Sequence, residues 1–317
     1  MVVCNEKILE SYFLANLLRP RTQKSYRQVL GRFAVQIKQF GISRYEQVTT
    51  HTIEQWRSYE ISSNKLSVIS WNSYCRTLKA LFSHAIKQKF VGWESNPFNG
   101  MMLRAPKKRK KTLADLQIIA IDQELKKLEN LESAGESAGR IHPVWFWRAV
   151  FKTLYYTGIR RNQLLHIRYQ DVCLYSGTIF LSLNGSKTHQ EHGVPIPEAL
   201  VPTMEMLMTK ATALRFRPGD QLFNVTRFGK NRYKLEEMQD ANVSNCFRQL
   251  GEHLGFKVSP HRLRHTLGTN LMRQPEKNLH LVKEILGHTD IRTTLEYIVV
   301  DPEDIKNLLN TMPLLEN

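Results

Sequence analysis

Acidic residues are in short supply in this 317-residue chain: 29 Asp and Glu stand against 45 Lys and Arg, a formal net charge of +16. A basic excess of that size suits a polyanionic partner, nucleic acid before an anionic membrane surface. Cysteines are few as well. Cys4, Cys75, Cys173 and Cys246 lie far apart and form no CxxC pair. That disfavours a structural zinc site and a disulfide framework alike, and suits a reducing cytosol. Long apolar runs are missing: the best stretch, Val144 to Tyr156, is broken by Arg148 and Lys152, so no membrane span is expected. The N-terminus carries Glu6 and Glu10 and no continuous apolar segment, so no secretory signal is expected either. What remains is ordinary for a globular protein, 42% hydrophobic and 23% charged. At ~150 residues per domain, the length predicts two domains.

The first hundred residues read as helices. From Thr22, Tyr26, Val29, Leu30, Phe33, Ile37 and Phe40 step by three and four, and Gly41 stops the pattern. A second, short helix carries Ile53, Trp56 and Tyr59 behind threonines suited to capping. A third holds Leu78, Leu81, Phe82, Ala85 and Ile86 and ends before Asn96-Pro97. Arg76, Lys79, Lys87 and Lys89 share it, either as a solvated face or as a DNA-binding one. From Arg104 to Thr112 the text RAPKKRKKT holds six basic residues and no acid, which cannot build a core. Lys107, Lys108, Arg109, Lys110 and Lys111 form either a solubilising or targeting tract or a strap along a phosphate backbone. Their place between two predicted domains favours the strap.

From Leu113 the pattern is again mainly helical. One strand region, Cys173 to Leu183, is followed by a Gly-containing turn and the extended Val194 to Pro197, a β-hairpin inside a helical domain. Leu131 to Arg140 reads as a surface loop. The expected fold is therefore mainly α with a small β-hairpin or sheet. It comprises a helical domain at 1–104, a basic linker at 105–112 and a mixed α/β domain at 113–317, with a tail from about 301. That tail carries an apolar stripe, Ile305, Leu308, Leu309, Met312, Leu314 and Leu315, which packing against its own domain would bury.

Three patches concentrate the chemistry. In TGIRRNQLL (157–165) a glycine turn places Arg160 at the start of an apolar helix. In HRLRHT (261–266) helical spacing gathers His261, Arg264 and His265 on one face. The third patch is LGHTD (286–290), followed by TTLEY (293–297). Histidines four apart invite the zinc-binding HExxH pattern, but Arg262 stands in place of the Glu and two arginines would repel a dication, so no metal is assigned. GSKT at 185–188 lacks the Gly-x4-Gly-Lys arrangement of a phosphate loop, so no nucleotide cofactor is assigned. Taken singly, a surface arginine or a packing tyrosine explains each patch.

Taken together, the patches resemble the tyrosine recombinase (phage integrase) family. Arg160 in TGIR, His261 and Arg264 in HRLRH, His288 in LGH and Tyr297 after TT follow that family's order. The intervals agree: about a hundred residues from Arg160 to Arg264, 24 to His288 and nine more to Tyr297, with Lys187 in a hairpin between the first two. The resemblance covers the chain from about Leu113 onward. Less specifically, the N-terminal helices look like the family's core-binding domain. It implies a two-domain clamp on double-stranded DNA, cut and rejoined through a 3′-phosphotyrosyl link without ATP or metal. It further implies strand exchange through a Holliday junction by a homotetramer on paired sites, with accessory DNA-bending or directionality proteins. A cytoplasmic, nucleoid-associated integrase of a mobile element is the expected biological setting.

The resemblance also distributes roles that the side chains' chemistry suits. Arg160 and Arg264 would clamp the non-bridging phosphate oxygens through paired hydrogen bonds. Tyr297 would attack, His261 would accept its proton, Lys187 would protonate the departing 5′ oxygen and His288 would bond the phosphate. A tyrosine of pKa ~10 is only about one part in 10³ ionised at pH 7, so it needs such help. Gln163 stands where the family has an acidic residue, leaving support of Arg160 to a neutral amide. The segment 131–141 is longer than the family's usual connection. Two other classes compete, a type IB topoisomerase-like relaxing enzyme and a noncatalytic DNA-binding regulator. The apolar tail favours recombination over the first, and a pure binder has no need of all six groups.

Overall fold

The computed structural model describes residues 2–106, 111–136, 139–183, 192–229, 237–273 and 279–298. The chain divides into two compact units, Met1–Lys108 and Arg109–Asn317, each with its own apolar core.

The first unit contains α1 (Val2–Asn16), α2 (Pro20–Gln39), α3 (Thr50–Ser62) and α4 (Val68–Lys87). Pro20 opens α2, where a missing N–H removes no hydrogen bond. Gly41, at φ +75°, takes the left-handed turn that ends the pattern. The Thr49 side chain accepts from the Thr52 N–H and caps α3. On α3 one expectation fails: Tyr59 is 42% exposed, whereas Glu60 is 2% exposed. The carboxylate tolerates burial because Trp56 Nε1 at 3.1 Å and Arg32 Nη2 at 2.6 Å both donate to it. The apolar stripe of α4 packs with Phe33, Trp56 and Trp71 in the core. Lys89, expected on this helix, lies beyond its end in a left-handed turn at φ +57°. Arg76, Lys79 and Lys87 are exposed, and their spacing puts them on one side of α4.

The second unit begins with α5 (Asp115–Ser133), α6 (Val144–Thr157) and α7 (Arg161–Leu164). A small sheet follows, β1 (Val172–Cys173), β2 (Thr178–Leu181) and β3 (His192–Pro195). Then come α8 (Val201–Ala213), α9 (Val225–Phe228), α10 (Asp240–Leu254), α11 (Pro260–Arg273), α12 (Leu279–Leu286) and α13 (Ile291–Leu295). α6 is apolar on most sides and runs through the core against α5, α8 and α11. Its Arg148 is accommodated because Asp122 at 2.9 Å and Glu129 at 3.1 Å, both on α5, take the guanidinium. α5 continues through Ser133, so the loop expected at 131–140 starts three residues late. Among the described residues the sheet has three antiparallel strands rather than a lone hairpin. Gly177, at φ +60°, folds the expected strand region back on itself between β1 and β2. Leu181 pairs with His192 as the last pair of β2 and β3. Lys187, expected in the turn between them, lies outside the described residues, as do Lys107, Lys108, Arg109, Lys110 and the tail from 301. No described helix is long and apolar enough to cross a membrane.

Candidate active site

Two helix C-termini build the centre of the site. The last carbonyls of a helix have no partner within it and carry its negative dipole end, so they attract cations. Gly158, at φ +61°, ends α6 by donating its N–H to the Leu154 carbonyl. Gly287, at φ +58°, ends α12 with the paired bonds Gly287 N–H to Glu284 O and His288 N–H to Lys283 O. That is the double-bonded glycine cap, and it explains the LGH text. Arg264, on α11, reaches both ends: it donates 2.7 Å to the Gly158 carbonyl and 2.5 Å to the Leu286 carbonyl. Arg160 donates from both terminal nitrogens to the Gly287 carbonyl, at 3.3 and 3.2 Å. A guanidinium has five N–H donors, so two carbonyl bonds leave others to face a ligand.

Gln163 does not support the Arg160 guanidinium. Its buried side-chain oxygen accepts from the Arg160 backbone N–H at 2.8 Å, capping α7, while the side chain is oriented by the Gly287 carbonyl. The missing acid is thus replaced by a backbone oxygen.

Tyr297 follows α13 and is 2% exposed. Its ring stacks on His288, with centroids 5.8 Å apart and planes at 17°. The His288 Nδ1 lies 2.9 Å from the hydroxyl of buried Thr294, which holds the imidazole in place. The Tyr297 hydroxyl lies 3.1 Å from Nδ1 of His265. The His261 ring stands edge-on to that of His265, centroids 4.3 Å apart, and is exposed to solvent. Arg264 is 4% exposed. Burial first, then the neighbouring Arg160 charge, lower its pKa to about 10, against the attraction and hydrogen bond of Tyr297. Burial likewise lowers Arg160, partly offset by Tyr297. Two cations side by side, both short of solvent, are poised for an anion.

The site thus gathers five of the residues singled out from sequence: Arg160, His261, Arg264, His288 and Tyr297. His265, seen in the sequence only as a second imidazole on the α11 face, is the one that meets the Tyr297 hydroxyl. Its i, i+4 spacing from His261 was the available signal. The carbonyls of Gly158, Leu286 and Gly287 had none. His192 of β3 borders the same corner: a Cβ on Gly287 would stand 3.8 Å from His192 Cδ2 and 3.9 Å from Arg160 Nη1. The start of β3 therefore lies beside Arg160. Among the described residues no three His, Cys, Asp or Glu side chains are grouped to hold a metal ion. Arg76, Lys79 and Lys87 belong to the first unit, and Lys111 is an exposed residue at the start of the second.

A helical domain with a small antiparallel sheet thus presents two arginines, histidines and a tyrosine at one corner. Residues 127–304 match the model of the phage integrase family, and the chain belongs to that family, the tyrosine recombinases. It is 35% identical over 304 residues to a candidate tyrosine recombinase XerC of Pseudomonas syringae, and 36% identical over 313 residues to one of Pseudomonas aeruginosa. Those matches take in 96% and 98% of this chain but 63% and 72% of the relatives' lengths. Among solved structures, a Tn1549 transposon integrase in complex with a circular intermediate DNA has the same fold, with a TM-score of 0.72 at 19% identity over 98% of this chain and 99% of that one.

Proposed function

We propose that this protein is a site-specific DNA recombinase that cuts and rejoins DNA through a 3′-phosphotyrosyl link at Tyr297. The observation that carries the reading is the convergence of the Tyr297 hydroxyl, an imidazole 3.1 Å away and the paired guanidiniums of Arg160 and Arg264. Attack by the phenol oxygen adds negative charge to the non-bridging phosphate oxygens. Two preorganised guanidiniums stabilise that charge, and removing one such donor typically costs ~10²–10³ in rate. Lys187 protonates the departing 5′ oxygen, His261 handles the proton of the nucleophile and His288 bonds the phosphate. One phosphoester replaces another, so the bond energy is conserved without ATP.

The exposed face of Arg76, Lys79 and Lys87, together with the run from Lys107 to Lys111, holds the phosphate backbone and so positions the DNA without reading its sequence. The +16 charge supports this assignment. Within the same reading, a homotetramer exchanges strands between paired sites through a Holliday junction, with the tail from 301 docked on a neighbouring copy. Accessory DNA-bending or directionality proteins bias the outcome. Integration and excision of a mobile element, in the cytoplasm at the nucleoid, is the task within this reading.

Covalent capture tests the reading. Wild type and Tyr297→Phe are expressed in cells carrying the native locus, lysates are denatured, and protein-linked DNA is purified and sequenced. Adducts from wild type alone, focused on a short inverted repeat, are expected. Scattered adducts point to a topoisomerase, and adducts from the phenylalanine variant overturn the nucleophile.

A further inference from the structure

The nucleophile touches an imidazole other than the one in the recombinase motif. His265 Nδ1 lies 3.1 Å from the Tyr297 hydroxyl, with ring centroids 5.4 Å apart. We propose that His265 is the immediate acceptor of the Tyr297 proton and that His261 carries that proton on to solvent. This rests on the recombinase reading above.

The other groups around the hydroxyl are less suited to accept. Among the described residues, the groups that face this pair include His261 and Arg264 from α11, Arg160 from the α6–α7 junction and His288 from the α12–α13 corner. A guanidinium has donors and no acceptor, so Arg160 and Arg264 stabilise a phenolate but cannot take its proton. The His288 ring lies face to face with Tyr297, and its Nδ1 is engaged with Thr294. His265 approaches in line with a ring nitrogen. A neutral imidazole has the acceptor lone pair that a general base requires. One turn earlier on α11, exposed His261 packs edge-on at 4.3 Å and supplies an outlet to water.

The step balances as follows. His265 begins neutral with its proton on Nε2 and its Nδ1 lone pair toward Tyr297. As the Tyr297 oxygen bonds to phosphorus, its proton moves to Nδ1 and the bond from phosphorus to the 5′ oxygen breaks. The 5′ oxygen leaves with a proton from Lys187. On rejoining, the 5′ hydroxyl attacks phosphorus and gives its proton back to Lys187, and the bond from phosphorus to the Tyr297 oxygen breaks. His265, reprotonated from solvent through His261, returns a proton to the departing phenol oxygen.

The test is single-turnover adduct formation by the full chain on a nicked duplex carrying the captured site. A second duplex has sulfur in place of the bridging 5′ oxygen, which removes the need to protonate the leaving group. His265→Asn keeps a polar group near Nδ1 but cannot take a proton. It is expected to cleave ~10²–10⁴-fold slower at pH 7. Its rate should keep climbing with pH, as hydroxide takes the proton in place of the imidazole, where wild type levels off. Added imidazole should restore His265→Ala, and sulfur should rescue Lys187→Ala but neither His265 variant. DNA affinity and melting temperature of His265→Asn should match wild type. Cleavage within about threefold of wild type overturns the assignment. So does a slow variant with the wild-type pH profile and no imidazole response, or one rescued by sulfur. No adduct from wild type overturns the recombinase reading itself, and the assignment with it.

Discussion

The ring of Tyr297 rests on the backbone of Gly268: a Cβ placed on that glycine would stand 2.7 Å from both Cδ1 and Cε1 of the tyrosine. Gly268 sits in the middle of α11, where glycine is ordinarily unfavourable by roughly 0.5–1 kcal/mol relative to alanine. The close approach is what the glycine allows. It brings the phenol under His288 and level with His265, one turn before Gly268 on the same helix.

Gly268→Ala therefore sets helix propensity against packing. The added methyl also meets Leu286 Cδ1 at 3.1 Å, so both neighbours must shift. Overpacking of this kind costs about 1–3 kcal/mol, more than the gain in propensity. A lower melting temperature and slower adduct formation are expected, with DNA affinity kept. Unchanged cleavage would mean that Tyr297 moves off Gly268 before it reacts.

Gln163 anchors the start of α7 through the Arg160 N–H. Gln163→Ala removes the acceptor and is expected to lower stability by about 1 kcal/mol, as for other lost caps. Gln163→Glu keeps the acceptor and should retain both stability and cleavage. Urea unfolding and adduct rates check the pair; an equal loss in both variants would place the contribution elsewhere.

An anion at the arginine pair should stabilise the protein. Burial and mutual repulsion hold Arg264 at about 10, so a bound oxyanion relieves the folded state. At one hundred times its dissociation constant, a ligand that binds only the folded state adds ~2.7 kcal/mol. Inorganic phosphate should raise the melting temperature of wild type, measured against chloride at equal ionic strength. Arg160→Gln should respond much less.

The basic face of α4 should be visible in salt dependence. Each phosphate contact contributes a slope of about −0.9 to log affinity against log salt. Replacing Arg76, Lys79 and Lys87 by glutamine should flatten the slope and weaken binding to all sequences alike. An unchanged slope would return that face to ordinary solvent exposure.

Much of the local architecture was legible because it obeys short-range rules. The α2 stripe, the Thr49 cap and the stop of α6 at Gly158 follow from periodicity and capping. Glu60 could not be read that way. Its burial depends on Arg32, 28 residues away, and a lone carboxylate otherwise belongs in water. The division at Gly177 was missed although Ser176-Gly177 is a turn dipeptide, because the strand formers after it dominated the run. The role of Gln163 was misjudged because its partner is a backbone N–H, and the guanidinium's partner a carbonyl 127 residues on.

The amino-acid sequence by itself determined which reactive groups this protein has and in what order: Arg160, His261, Arg264, His288 and Tyr297. It also marked the stop at Gly158, because a glycine cap is a local event. Only the tertiary structure decided which imidazole meets the Tyr297 hydroxyl and which carbonyls hold the arginines. Two histidines one turn apart are equivalent until Tyr297 is laid against one of them. A carbonyl is common to every residue, so its value as a partner exists only once helix ends converge.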